Sequence, residues 1–188
     1  MFPQHTHRLF LREITRADID DIYSFASDPE NTHHLIWGPA TRRMVRTFVR
    51  RTETERRLTP RKRWSIALVD RTSLKLIGIC YVELLPFDQT TAQMGCLIRK
   101  QDWRKGYANE VTDERIRFAF EDLGAHQLIA TSSPENTGSI HNLQKHGLEL
   151  RGLVPDAVAH RGHTRDSLLF ARKNPALQAL ARTTPIAV

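Results

Sequence analysis

The run Trp103-Arg104-Lys105-Gly106-Tyr107-Ala108-Asn109 stands between an apolar segment, Met94 to Ile98, and a pattern of apolar residues at helical spacing, Ala108, Val111, Ile116, Ala119 and Phe120. A helix that starts here exposes N–H groups with no partner in their own helix and presents the positive end of its dipole. Gly106 and Ala108 leave room for a bulky anion to approach the backbone, and Arg104 and Lys105 add formal charge. Phosphate is the chemical group such a bend suits. The run is neither the nucleoside-triphosphate loop nor the dinucleotide glycine pattern, and a glycine at a strand-to-helix turn can equally serve structure alone.

A second segment, Glu135 to Gly147, follows the next strand and falls at the same end of the sheet. Asn136 there reads as a helix cap, and Ser139 as a first-turn serine that satisfies local backbone. Nine histidines include the pairs His5/His7, His33/His34 and His160/His163. None has the spacing of a zinc centre, so no metal is expected. A histidine base would suit proton transfer near neutrality, although sequence does not place one. Cys80 and Cys96 lie in apolar strand-like runs and read as reduced core thiols.

These residues need a scaffold. Leu9, Leu11 and Ile14 predict a first strand, and Thr15 with Asp18 predicts a capped helix over Ile19, Ile22, Phe25 and Ala26 that ends at Asp28-Pro29. After the Trp37-Gly38-Pro39 loop, Thr41 can cap a basic helix whose core stripe is Met44, Val45, Phe48 and Val49. Trp64 to Val69 and Leu76 to Leu85, joined by Asp70-Arg71-Thr72-Ser73, predict an antiparallel hairpin, and Met94 to Ile98 a third strand. The helix through Phe120 stops at Leu123-Gly124. Gln127 to Thr131 reads as a strand, Asn136 to Lys145 as a short helix, and Leu148 to Val158 with Ser167 to Ala171 as final strands. Strand-helix-strand crossovers normally return parallel, so this order predicts a partly parallel, mixed α/β sheet covered by helices.

Together, the two loops resemble the GNAT superfamily of N-acetyltransferases, in particular its branch that acetylates ribosomal-protein N-termini (RimJ/RimL-like). The likeness spans most of the chain: the opening Arg8 to Arg12 strand and its helix, Leu76-Ile77-Gly78, and the acyl-CoA loop W-G-K-G-Y-A-x-E. That loop is met by Trp103, Lys105, Gly106, Tyr107, Ala108 and Glu110, with Arg104 where the family has its first glycine. The later pattern N-x-x-S with K-x-G is met by Asn136, Ser139, Lys145 and Gly147.

The resemblance implies a single GNAT domain over 1–173 with a C-terminal tail over 174–188, about seven strands in a mixed sheet and about four helices. It implies acetyl-CoA as donor, held at its diphosphate by the amides of Arg104, Lys105, Gly106, Tyr107, Ala108 and Asn109. The strand ending at Leu97, Ile98 and Arg99 would pair with the pantetheine arm, and Asn136 and Lys145 join the coenzyme site. Ser139 is the expected proton donor to the thiolate, because the tyrosine many relatives carry four residues later is Leu143 here. The family's acidic residue before the central glycine is missing from Ala92-Gln93-Met94-Gly95-Cys96, which leaves Glu83 as a candidate base acting through water. His33 and His34 fall where the family lines its acceptor channel. A homodimer is a further expectation by likeness.

Length and composition agree with one soluble domain. With 188 residues, 40% hydrophobic and 26% charged, the chain can bury a core. It has no apolar run of membrane-spanning length and no secretory start, so a cytoplasmic protein without membrane contact is expected. The net charge is +7, and residues 42 to 63 alone carry ten basic residues against Glu53 and Glu55, a local +8. That stretch is either a solvated helix face or a surface for an acidic partner. Three functions follow as expectations. The first is acetylation of a protein or peptide α-amine, for instance a ribosomal protein N-terminus. The second is acetylation of a small amine such as an antibiotic or polyamine. The third is a non-catalytic module that binds CoA or RNA.

Overall fold

Leu9 and Leu11 are buried while Phe10 and Arg12 face outward, the period of two that makes β1 (Leu9–Glu13) a strand with one covered face. A computed structural model describes residues 5–35, 38–160 and 163–177, without the side chains of 156–160 and 163. Trp37, Arg161, Gly162, the side chains of His160 and His163, and the tail beyond Leu177 therefore lie outside the described residues.

After β1 come α1 (Ile19–Ala26), α2 (Arg42–Arg56), β2 (Arg63–Asp70), β3 (Leu76–Leu84) and β4 (Thr91–Ile98). Then follow α3 (Tyr107–Arg117), β5 (Gln127–Ser132), α4 (Thr137–Lys145), β6 (Glu149–His160) and β7 (His163–Lys173). The expected mixed sheet is present: seven strands in the order β1-β2-β3-β4-β5-β7-β6, all neighbours antiparallel except β4 and β5. Among the described residues the helices α1 to α4 cover it, short 3-10 turns lead into α1 and α3, and α3 runs on into a π turn over Phe118–Asp122 where sequence predicted continuous helix.

Ile66 to Val69 are buried without alternation because the middle of the sheet is covered on both faces. One core joins Ile66, Leu68, Val82, Met94, Leu128 and Ala130 to Val111, Ile116 and Leu143 of α3 and α4. The other joins Ala67, Val69, Ile79 and Leu97 to Ile22, Phe25, Val45 and Val49 of α1 and α2. Local signals fix the helix starts. Thr15 and Asp18 form a capping box, and Arg12 grips the Asp18 carboxylate at 2.6 and 2.8 Å. Burial opposes ionisation of Asp18, but the bonds from Arg12 and Thr15 outweigh it and hold this carboxyl below its ordinary range. Thr41 Oγ1 accepts from Met44 N at 3.2 Å to start α2. At the far end, Asn174 is buried and donates from Nδ2 to Ala125 O at 3.0 Å.

The feature that positions a site is the parallel pair. β4 and β5 pair only through Thr91 to Gln93 and Gln127 to Ile129. Beyond that point β4 stays with β3 as far as Ile98, while β5 stays with β7 as far as Ser132. The two strands splay, and each turns an unpaired backbone edge into the gap. Such an edge can accept an extended chain carrying amides.

Candidate active site

At the wide end of the gap the chain leaves β4 through Arg99 to Gly106 and enters α3. Gly106 has φ +85°, a left-handed conformation that side chains with a Cβ rarely adopt. Arg104 has φ +60°, so the position where the family motif has glycine is one whose backbone favours it. Among the described residues, the N–H groups of residues 104 to 108 donate to no backbone carbonyl, and they lead into the helix start. Together they make a ready anion cradle.

Its walls are tied firmly. Asp102, buried, takes Arg99 Nε on one oxygen and Lys105 Nζ on the other at 2.8 Å. Burial opposes the charge of Asp102, and these two cations more than offset it, holding the carboxyl below its usual value. Trp103 Nε1 donates to Ile98 O at 2.7 Å, folding the loop back on β4. Glu110 accepts from Arg8 N at 2.6 Å, Arg8 Nε at 2.9 Å and the Thr6 hydroxyl. Arg8 also donates to Lys105 O at 2.8 Å and stacks over the Tyr107 ring at 4.5 Å. The Tyr107 hydroxyl donates to Asp70 Oδ2 at 2.8 Å. Glu110 and Tyr107 thus hold the loop to the first strand and the hairpin turn. Arg104 is exposed and has no ion pair among the described residues, so its guanidinium is open to a ligand, whereas Lys105 shares its charge with Asp102.

Along the gap, Gly95 performs a steric task. A Cβ there would lie 2.4 Å from Cε1 of Tyr81, whose ring crosses β4 at this point. Arg63 lies 4.1 Å from the centre of that ring and also pairs with Glu83, with Glu55 of α2 at 3.9 Å. Burial pushes the Tyr81 phenol above its ordinary value. Tyr81 is a residue that sequence reasoning missed: its partner Gly95 lies on the next strand, and only the register joins them. Glu83 is on the same face, held by Arg63. Cys80 and Cys96 face each other across β3 and β4, with burial raising both thiols, so neither offers a thiolate.

On the β5 side, Asn136 Oδ1 accepts from Ser139 N at 3.0 Å, so Asn136 caps α4. Ser139 is half-buried in the first turn. Asn142 Nδ2 donates to Thr112 Oγ1 at 2.9 Å and sets α4 alongside α3, bringing both helix starts to the gap. Lys145 is exposed at the other end of α4, about 12 Å of helix away from the cap. The sheet therefore gathers Leu97, Ile98, residues 99–109, Asn136 and Ser139 at one mouth. Glu83 lies deeper on the α2 face and Lys145 farther out.

Residues 28–35 run across that mouth as a strap. Glu30 pairs with Lys100 on the β4 side, and His33 Nε2 lies 3.8 Å from Glu135 on the β5 side. Arg165 of β7 donates to His33 O at 2.6 Å. The two histidines, expected only to lie near an acceptor channel, are gathered with Glu135, their ligand-type atoms within 4.8 Å of one another. Burial, followed by the neighbouring His33 and Arg165, depresses His34 below its ordinary value against the pull of Glu135. Among the described residues, its Nδ1 is buried and without a hydrogen-bond partner, as are both amide atoms of Asn31. A neutral imidazole beside an attacking amine is able to take its proton.

The comparisons with known proteins agree with this geometry. The acetyltransferase (GNAT) domain model matches residues 8–149. The chain is 28% identical over 168 residues to the N-acetyltransferase p20 of Bacillus licheniformis, covering 89% of this chain and 93% of that protein. It shares its fold with the ribosomal-protein-S5-alanine acetyltransferase of Vibrio fischeri at a TM-score of 0.76 and 18% identity, covering 91% and 96% of the two chains. It shares it equally with the spermidine N-acetyltransferase of Vibrio cholerae, solved with CoA and spermine, at a TM-score of 0.75 and 15% identity, covering 89% and 96%. No helix among the described residues is long and apolar enough to cross a membrane. The chain belongs to the GNAT family and is an acetyl-CoA-dependent N-acetyltransferase.

Proposed function

We propose that this enzyme acetylates the α-amine at the N-terminus of a protein or peptide. The observation that carries the reading is the pairing of Glu83 with Arg63. The guanidinium already occupies one oxygen of that carboxylate, and His34, neutral near pH 7, is a mild base. An α-amino group titrates near 7.7 and a lysine near 10.4, so a lysine acceptor adds about 2.7 units, or roughly 3.7 kcal/mol, to the cost of deprotonation. Weak bases therefore suit the α-amine.

In this reading the amides of 104–108 and the Arg104 side chain hold the diphosphate of acetyl-CoA, the Asn109 amide being already taken by Gly106 O at 3.1 Å, and the open edge of β4 to Leu97, Ile98 and Arg99 pairs with the pantetheine arm. His34 takes the proton of the amine, with Glu83 through a water as the second route. Nitrogen attacks the acetyl carbon, the carbon–sulfur bond breaks, and the Ser139 hydroxyl supplies the proton to the departing thiolate. Asn136, as cap, fixes the turn from which Ser139 points. Lys145 serves the distal part of the coenzyme.

A polyamine acceptor, like that in the name of the spermidine enzyme, calls for several carboxylates at the mouth, and at the strap Glu135 faces His33 at 3.8 Å while Glu30 is bound to Lys100. The test is a panel of acceptors with acetyl-CoA, read as free CoA: a peptide with a free N-terminus, the same peptide blocked and carrying an internal lysine, and spermidine. Fastest turnover of the free N-terminus is expected, and faster turnover of the lysine peptide or of spermidine contradicts the assignment.

A further inference from the structure

The basic segment 42–63 divides cleanly once its partners are known. Arg42 pairs with Asp20, Arg51 with Glu55, Arg61 with Glu13 and Arg63 with Glu83, while Lys62 Nζ donates to Gln89. Arg43, Arg46, Arg50, Arg56 and Arg57 are exposed, and among the described residues their guanidinium groups make no ion pair, hydrogen bond or ring contact. The acidic residue within their stripe, Glu53, is neutralised by Arg16 at 3.1 Å.

Arg43, Arg46, Arg50 and Arg57 follow at steps of three, four and seven residues, which puts them on one side of α2 and its C-terminal cap, along about 21 Å. The core side of the helix, Val45, Val49 and Thr52, points away. Beside the stripe lies an open groove of about 510 Å³ formed by Arg43, Met44, Thr47, Phe48 and Arg51, with Met44 41% exposed. Five cations close together on one helix repel one another, and among the described residues none of them is matched by an ion pair.

We infer that this face of α2 binds single-stranded RNA, with the phosphates on the arginine stripe and a base against the apolar floor of the groove. The choice of residue favours nucleic acid over an acidic protein. All five free cations are arginine, whose planar fork matches two phosphate oxygens and stacks on bases. An apolar surface flanked by arginine is the platform that unpaired bases use. The surface lies on α2 and is separate from the coenzyme loop at α3, so it acts in addition to acetyl transfer and stands whether or not the acceptor is a protein N-terminus.

The test uses the full chain and a fluorescent single-stranded RNA of about 12 nucleotides, followed by anisotropy at several salt concentrations. Four phosphate contacts on a single strand predict a log–log slope near −3, or about a 50-fold loss of affinity between 50 and 200 mM salt. The triple variant R43E/R46E/R50E should lose this binding while acetyl-CoA still raises its Tm as in the parent and it still releases CoA with a free amine acceptor. Equal RNA binding by parent and triple variant, or none by the parent at 50 mM salt, overturns the inference. Tighter binding of a polyglutamate chain than of RNA assigns the surface to an acidic protein and overturns it equally.

Discussion

The two sides of the cleft are built differently. On the donor side, residues 99–110 are pinned by Asp102, Glu110, Arg8 and Asp70, so the backbone that meets the anion is fixed before it arrives. On the acceptor side, among the described residues, the strap 28–35 is tied to the sheet side by two exposed ion pairs and one guanidinium-to-carbonyl bond, and Asn31 and His34 keep buried polar atoms without partners. Buried unsatisfied groups cost about 1–3 kcal/mol each and mark places where a structure is completed by something else. The contrast suits an enzyme whose donor is constant and whose acceptor is chosen: rigid preorganisation serves the first and adaptable polar contacts the second.

The harshest test of the donor side is Gly106→Val. A β-branched residue at φ +85° is strained, and its Cβ would lie 3.2 Å from Arg8 Nη2. Affinity for acetyl-CoA should fall more than 100-fold by calorimetry, with the fold retained by circular dichroism; unchanged affinity would refute the cradle. Ser139→Ala should lower kcat about 100-fold with KM for acetyl-CoA within a factor of two, because the hydroxyl acts after the coenzyme has bound. Unchanged turnover would leave Ser139 a merely structural part of the capped turn.

Glu110 probes the rigidity itself. Burial opposes its charge, but bonds from Thr6 and Arg8 prevail and hold its carboxyl below the ordinary value. A carboxylate lowered in the fold contributes stability above its unfolded value, near 4.3, and loses that contribution as pH falls toward the folded value. Glu110→Gln should therefore lower Tm by about 2–4 °C at pH 7 and by less at pH 3, read from parallel melting curves. An equal loss at both pH values would mean that charge is not what holds the loop. The smallest effect belongs to the strap. Glu135→Gln removes one partner of an exposed pair and should change KM for the acceptor about two- to threefold while leaving the acetyl-CoA KM alone. A change in the latter would mean that the strap belongs to the donor side.

What could be read in the chain follows the same division. The donor loop is contiguous, so Trp103, Lys105, Gly106, Tyr107, Ala108 and Glu110 declared it within eight residues, and Asn136 announced its own cap. The mixed sheet was legible because apolar runs and turn residues alternate cleanly from Leu9 to Ala171. Pairings between distant elements were hidden. The lysine of the motif shares its charge with Asp102, Glu83 is matched by Arg63 twenty residues before it, and Tyr81 lies over Gly95 only through the β3–β4 register. His33 and Glu135 meet across a hundred residues of chain. The π turn after α3 also escaped notice, because its apolar residues keep a near-helical spacing.

Hydrogen exchange on the whole protein, with and without acetyl-CoA, examines the central claim most directly. The account predicts slowed exchange at the amides of 104–108 and along the open edge of β4 toward Ile98, and little change on α2. Protection on α2 or in the β6–β7 hairpin with none at 104–108 would contradict it.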